Sequence, residues 1–223
     1  EMGPGSLHDP LTHILGAMRG GGDMLAGREQ RPRLETEGQR TPQELLALLE
    51  PIADDLEASA SYLAWRPIIT SVLGLDTLGE DPAEQRRHIE SLWADDPTKL
   101  KRTPLLNSVL PIGFDENDLT AHMPAALRIQ VTQELLTTIL AEASKQKPLL
   151  VVLEDAPWMD PSSWTLAARL ASRLTNLRLT LATRPLERPP PHYDRLMALE
   201  ITTHLVLEPF GQDDCNAIVR QRL

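Results

Sequence analysis

The stretch that decides the predicted fold is Leu149-Leu150-Val151-Val152-Leu153-Glu154-Asp155. Its first five residues are apolar and its last two are carboxylates. A short unbroken apolar run of this kind is typical of a strand that is buried on both faces of a parallel sheet. The carboxyl ends of such strands form the edge at which open α/β folds bind ligands. We therefore expect Glu154 and Asp155 to lie at a ligand-binding edge.

The residues after this strand predict further elements of an α/β fold. Asp160 followed by Pro161 suits the N-cap and the first position of a helix. The next strand candidates are Leu177–Thr183 and Thr203–Leu207, with a short helix near Tyr193–Leu199 between them. Strands and helices that alternate at this spacing indicate a parallel sheet with flanking helices.

The residues before the strand predict helices. Thr41 begins a capping-box pattern, and residues 65–73 carry apolar side chains at helical spacing. Another helix is predicted after Asp81, and a long one over Pro124–Ser144 with an apolar stripe that includes Leu127. Three tryptophans lie on apolar helical stripes and are predicted to be core residues: Trp65, Trp93 and Trp164.

The composition argues against several classes of protein. The chain has 223 residues, with 22 Lys and Arg against 32 Asp and Glu and a formal net charge of −10, whereas nucleic-acid binding needs clustered positive charge. The single cysteine, Cys215, excludes an internal disulfide framework, and its apolar stripe indicates a core residue rather than a nucleophile. No apolar run reaches the ~18 residues of a membrane-spanning helix, and no signal-peptide pattern is present. We therefore predict a cytoplasmic chain.

Two pairs of polar residues are candidates for chemistry. Glu154 and Asp155 could hold Mg²⁺, directly or through water, beside the phosphates of a nucleotide. The alternative is a strand that exits into a polar turn. Thr183 and Arg184 follow the neighbouring strand candidate, and the arginine could bind a terminal phosphate through two hydrogen bonds. On the local pattern alone, a solvated arginine at a strand end is the favoured interpretation.

Three sequence blocks, in the expected order, carry a resemblance to a known family. Val152–Pro161 (VLEDAPWMDP) resembles the Walker B segment of STAND-class, AAA-like P-loop ATPase modules. It is most similar to the module that follows class III cyclase domains in soluble adenylyl cyclase-like proteins. The upstream blocks that resemble the same module are Ser59–Ile68 with Leu73–Asp76, and Pro104–Pro111 with Glu116–Thr120.

The resemblance implies a partial P-loop NTPase fold of the ASCE type with a helical insertion. By it, Glu154 and Asp155 are the Walker B pair, of which one assists Mg²⁺ binding and the other polarises the attacking water. Arg184 takes the position of the sensor-1 arginine, with Thr183 beside it as a further nucleotide-binding residue. The implied cofactors are ATP and Mg²⁺. Pro157 is a departure from the pattern, because these modules often carry histidine there.

The larger departure is the absence of a P-loop. The motif GxxxxGK[ST] is needed because its backbone N–H groups and its lysine hold the phosphates, and the chain contains no match to it. None of the four lysines follows a glycine. The glycine run Gly20–Gly22 precedes Asp23, whose charge would repel phosphate. We expect either a truncated or misjoined gene or a degenerate module.

The predicted organisation has three parts. Residues 1–40 are expected to be an unmatched, disordered leader that is flexible or foreign to the module, although Leu11–Met18 could make two helical turns. Residues 41–147 form the mainly helical part of the module. Residues 148–223 form the α/β part with the Walker B and sensor-1 strands, and they include the start of a following helical subdomain.

These features predict an ATP-binding regulatory module of an adenylate cyclase-like signalling protein. Its partners would be a nucleotide and other domains of a longer chain or an oligomer, without a membrane or nucleic acid. The alternative is a degenerate, non-catalytic interaction module. A third hypothesis, a DNA-engaging ATPase similar to origin-recognition proteins, is disfavoured by the charge of −10. Trp158 could pack the loop after the strand or border the nucleotide, and packing is favoured.

Overall fold

The computed structural model of the chain describes residues 8–25, 27–34, 40–41, 43–49, 51–52, 61–186, 189–208, 211 and 220. In this part the chain is mixed α/β and mostly helical, with a two-stranded parallel sheet. The α-helices are α1 (His8–Leu25), α2 (Arg66–Val72), α3 (Pro82–Leu92), α4 (Pro97–Leu100), α5 (Ala125–Gln146), α6 (Pro161–Arg173) and α7 (Pro191–Met197). Residues 43–49 are also helical. The strands are β1 (Leu149–Leu153) and β2 (Leu177–Leu181), and short 3₁₀ helices cover Leu63–Trp65, Leu75–Thr77, Thr103–Ser108 and Ala156–Trp158.

Local sequence signals place the ends of several helices, as predicted. At the start of α3, the Ala83 N–H donates to Asp81 Oδ1 at 2.9 Å. In the capping box, the Thr41 N–H donates to Glu44 Oε2 at 2.6 Å and the Glu44 N–H donates to Thr41 Oγ1 at 3.3 Å. Gly74 follows α2 with a φ of 71°, a left-handed conformation that costs a residue without a side chain little.

The predicted parallel sheet is present, with the strand–helix–strand order β1–α6–β2. Leu149 lies opposite Leu177, and Leu153 lies opposite Leu181. The strand β2 ends at Leu181, before the end of the predicted Leu177–Thr183. The regular register of the pair stops where Asp155 takes a left-handed conformation, although Ala182 still bonds to Leu153 and Ala156. The sheet order therefore agrees with the α/β prediction over these two strands.

The prediction that β1 is buried on both faces is wrong. Val151 and Leu153 are 4% and 3% exposed, but Leu150 is 66% and Val152 is 50% exposed. The two sets point to opposite faces because successive side chains of a strand alternate. The buried face shares a core with helices such as α6, whereas no described element covers the other face.

The predicted third strand, Thr203–Leu207, is not a strand in the structure. No residue from 202 to 208 has a secondary-structure assignment, and no described residue makes a backbone hydrogen bond to residues 203–208. Its apolar side chains are exposed, at 77% for Leu205, 70% for Val206 and 91% for Leu207. The apolar pattern is present, but the segment pairs with no described strand.

The main hydrophobic core joins the helices to one face of the sheet. The three tryptophans predicted to be core residues are buried, with exposures of 0%, 6% and 2% for Trp65, Trp93 and Trp164. The Trp65 indole Nε1 donates to the Ser163 carbonyl at 3.2 Å, which ties the segment before α2 to α6. Leu127 is 45% exposed, so the predicted stripe of α5 begins too early. The buried apolar residues of α5 are Leu135, Leu136, Ile139 and Leu140.

Helix α1 is longer than the two turns predicted over Leu11–Met18, and it continues through the glycine run. Its buried Leu15 belongs to a small second core with Leu34, Leu45 and Ile52. The Arg66 guanidinium links this region to the main body, because Nη1 donates to the Leu25 carbonyl at 2.9 Å. The division of the chain at residues 40 and 147 stays a prediction.

Some sequence predictions fall outside the residues that the structure describes. They are the last helix after Asp213 and the core position of Cys215. Among the described helices, none is both long enough and apolar enough to span a bilayer.

Candidate functional site

The loop after β1 holds the predicted acidic pair at the carboxyl end of the strand. Glu154 and Asp155 are both exposed. Asp155 has φ 50° and ψ 38°, a left-handed conformation that is uncommon for a residue with a side chain. The turn then closes as a 3₁₀ helix, in which the Trp158 N–H donates to the Asp155 carbonyl at 2.9 Å. The buried Ala156 anchors this turn in the main core.

Two backbone hydrogen bonds join this loop to the one after β2. The Ala182 N–H donates to the Leu153 carbonyl at 2.9 Å, and the Ala156 N–H donates to the Ala182 carbonyl at 3.0 Å. The four predicted site residues therefore lie on adjoining loops at one edge of the sheet: Glu154, Asp155, Thr183 and Arg184. The bond to Leu153 continues the parallel register of the strands. The bond from Ala156 lies one residue beyond that register, after the left-handed Asp155.

The charged groups at this edge are open to solvent. Within the described residues, neither carboxylate of the acidic pair makes a hydrogen bond or ion pair, and Arg184 is also exposed without one. The Thr183 hydroxyl donates to the Arg184 carbonyl at 2.7 Å, which shapes the loop. No group of three or more potential metal-ligating side chains occurs in the part of the chain that the structure describes. The acidic pair is thus an exposed pair rather than a closed metal cage.

Asp160 makes hydrogen bonds at the start of α6, whereas Trp158 is exposed to solvent. Asp160 caps α6 as predicted, since Oδ1 accepts the Ser163 N–H at 2.9 Å and Oδ2 accepts the Ser163 hydroxyl at 2.6 Å. The favoured prediction that Trp158 packs the loop is wrong, because its side chain is 85% exposed. The backbone of the short 3₁₀ turn directs the ring outward while the neighbouring Ala156 fills the core.

Sequence reasoning missed a buried polar cluster behind this loop. Tyr62 is 2% exposed and has a φ of 58°. Its hydroxyl is buried without a hydrogen-bond partner of ordinary geometry among the described residues, and the same holds for Arg169 Nε. Burial raises the pKa of Tyr62, although the nearby Gln133 and Ser162 side chains act in the opposite direction. Tyr62 lies in one of the three blocks of the resemblance, but its conformation is not visible in a residue pattern.

The glycine run of α1 is helical and forms no phosphate-binding loop. Asp23 is only 1% exposed and is held by Arg31, whose Nη2 lies 2.7 Å from Asp23 Oδ1. The Arg31 N–H and Nε donate to Asp23 Oδ2 at 3.1 and 3.0 Å. These hydrogen bonds hold the pKa of Asp23 below its usual value. Its carboxylate therefore closes the loop after α1 instead of facing a ligand.

Comparison with known proteins identifies no relative of this chain. No protein family, no curated protein and no solved structure matches it.

Proposed function

We propose that this chain is an ATP-binding regulatory module of the STAND or AAA-like kind, with a P-loop NTPase core of the ASCE type. It acts in the cytoplasm as part of a longer signalling protein similar to the adenylyl cyclase-like proteins. One observation carries the proposal. The hydrogen bonds of Ala182 to Leu153 and Ala156 bring the acidic pair and Arg184 to the same edge of the sheet, where open α/β folds bind ligands.

The residue types at this edge fit Mg²⁺. Magnesium in nucleotide sites keeps several waters and uses one or two carboxylates together with phosphate oxygens. Glu154 and Asp155 offer two exposed carboxylates that no described side chain occupies. When bound, the ion would neutralise charge that develops on the phosphates.

The chain's own residues have separate roles in this proposal. Glu154 orients and polarises the attacking water, while Asp155 holds the hydrated ion. Arg184 donates hydrogen bonds to the terminal phosphate, since its guanidinium is planar and is not paired to a described acidic side chain. Slow hydrolysis would convert ATP to ADP and phosphate, and release of both products would then reset the module.

Calorimetric titration of the full chain with Mg-ATP tests the proposal. We expect Glu154→Gln to keep ATP affinity and to lose turnover, because the amide cannot act as a base. Glu90→Gln, at an exposed position of α3, is the matched control and leaves both unchanged. Absence of heat at millimolar Mg-ATP would overturn ATP binding, and unchanged hydrolysis in Glu154→Gln would overturn the role of Glu154.

A degenerate, non-catalytic interaction module is the second candidate. The observation that favours it is the absence of GxxxxGK[ST] from the chain, because that motif supplies most phosphate contacts in P-loop proteins. The same titration separates the two. A chain that unfolds cooperatively yet gives no heat with Mg-ATP supports the non-catalytic module, and measurable ATP binding contradicts it.

A further inference from the structure

The free edge of β1 carries unused backbone hydrogen-bonding groups. Leu149 and Leu153 bond toward β2, through the Leu149 N–H to the Asn176 carbonyl at 3.0 Å and the Leu153 carbonyl to the Ala182 N–H. Because these groups alternate in direction along a strand, those of Leu150 and Val152 point away from β2. No described residue bonds to them. Such an edge can accept another strand.

Apolar surface surrounds this edge. Leu150 and Val152 expose 66% and 50% of their side chains on the uncovered face. A groove of about 360 Å³ lies between α2 and β1. It is lined by Pro67, Ile68, Ser71, Val72, Leu149, Leu150 and Val151. A strand added here would bury apolar side chains as well as satisfy backbone groups.

The same chain carries a segment that fits such an edge. Residues 203–207 have no secondary-structure assignment, and their backbone makes no hydrogen bond to a described residue. In an extended strand, Leu205 and Leu207 would lie on one face, and they are 77% and 91% exposed. A run of β-branched and apolar residues of this length is typical of a strand.

We propose that Thr203–Leu207 of one copy of this chain adds a strand to the free edge of β1 in a second copy. Leu205 and Leu207 then lie on the same face as Leu150 and Val152 and pack beside them as cross-strand neighbours. The backbone of the donated segment satisfies the free groups of β1. This proposal stands independently of nucleotide binding.

Contacts within the chain hold the residues just before the donated segment, and for this reason we infer that it pairs with a second copy rather than with its own sheet. The segment follows α7, which packs on α6 through an edge-to-face contact of Trp164 and Tyr193, with ring centroids 6.2 Å apart. The Thr202 hydroxyl donates to the Leu196 carbonyl at 2.6 Å. Beyond this anchorage, residues 203–207 are solvent-exposed in their own chain. A second copy therefore meets this segment as an exposed run of apolar residues that pairs with no described strand.

Charge is compatible with contact between identical copies. Neither residues 201–207 nor the groove contains Asp, Glu, Lys or Arg, so the contact itself brings no like charges together. Each whole copy carries a formal charge of −10, and this repulsion is screened by salt. Association should therefore strengthen as the salt concentration rises, which is the reverse of a contact held by ion pairs.

Analytical ultracentrifugation of the full chain, over about 1 to 100 µM, tests the proposal. We expect reversible self-association that strengthens in salt. The donor variant Leu205→Lys/Leu207→Lys should weaken it about 100-fold or more, because two buried apolar contacts are replaced by charges. The control Met24→Lys, at a position on α1 that is 66% exposed, should associate like the natural chain.

Mixing two defective variants gives the sharper test. The acceptor variant Leu150→Lys/Val152→Lys changes only exposed side chains and keeps the donor segment. It should not associate alone, but it should form a one-to-one complex with the donor variant, which keeps its β1 edge. A monomer at every concentration and salt would overturn the proposal. So would association that the donor variant leaves unchanged, or a mixture that forms no complex.

Discussion

The helical core around Trp65 and the two-stranded sheet use apolar side chains in opposite ways. Around Trp65, helices close on one another, and the side chain is 0% exposed. In the sheet, β1 buries Val151 and Leu153 but exposes Leu150 and Val152. The difference teaches that apolar side chains in this chain are buried where helices surround them. They stay exposed on the face of a strand that no described element covers.

The largest expected effect is at Trp65. Trp65→Ala should lower the free energy of unfolding by about 3–5 kcal/mol, because it opens a cavity in the core and removes the 3.2 Å hydrogen bond to the Ser163 carbonyl. Trp158→Ala is the matched control, at a side chain that is 85% exposed, and should change it by under ~0.5 kcal/mol. Urea unfolding measures both. Equal losses in the two variants would contradict the contrast between buried and exposed tryptophan.

The sequence predicted these helices well because their signals are local. Thr41 with Glu44 and Asp81 with Ala83 mark helix starts through contacts within a few residues. The apolar spacing of residues 65–73 likewise spans only α2 and the residues next to its ends. A residue pattern therefore predicts such elements without knowledge of the remaining chain.

The sheet was predicted less well because strand pairing is non-local. The apolar run of Thr203–Leu207 matches a strand, yet it makes no backbone hydrogen bond to a described residue of its own chain. The exposure of Leu150 and Val152 depends on which elements cover each face, which the run itself does not encode. At the site, the pattern predicted that Glu154 would lie at the carboxyl end of a strand, but not that Trp158 would be exposed or that Tyr62 would be buried behind it.

The second prediction concerns Asp23, a buried carboxylate near the end of α1. Its pKa is held below the usual value by hydrogen bonds from Arg31, so its contribution to stability is present above the unfolded-state pKa of about 3.9. That contribution is lost as the pH falls through the lower folded-state value. Asp23→Asn should speed amide exchange in α1 about tenfold at neutral pH, because a charge-assisted hydrogen bond is weakened.

Hydrogen exchange across pH supplies the check on Asp23. The difference between the natural chain and Asp23→Asn should shrink as the pH falls below the folded-state pKa. Glu29→Gln, an exposed charge in the following loop, serves as the control and should leave exchange in α1 unchanged. A difference that grows on acidification would have the wrong sign for a depressed pKa.

The third prediction tests the N-cap of α6, the helix that follows the loop after β1. Asp160→Ala should destabilise the chain by about 1 kcal/mol, because it removes the N-cap of α6, including the acceptor for the Ser163 N–H at 2.9 Å. Asp160→Asn keeps an acceptor at the N-cap and should lose less. Thermal unfolding of the two variants measures the difference. If alanine and asparagine were equally tolerated, the cap would not contribute to the stability of α6.

The smallest expected effect is on the uncovered face of β1, where concentration decides the result. At low concentration, Leu150→Thr should change the free energy of unfolding by under ~0.5 kcal/mol, because its side chain is already 66% exposed. If a second copy adds a strand beside β1, association stabilises the folded natural chain through mass action. The difference in unfolding free energy between the natural chain and Leu150→Thr, measured in urea, should then widen as the protein concentration rises.

Leu153→Ala, at a side chain 3% exposed, is the control. Its loss of unfolding free energy should be the same at every concentration, since its cavity lies within one copy. If the difference in unfolding free energy between the natural chain and Leu150→Thr stayed constant, no second copy would pair beside β1. The sheet would then be stabilised only through its buried face.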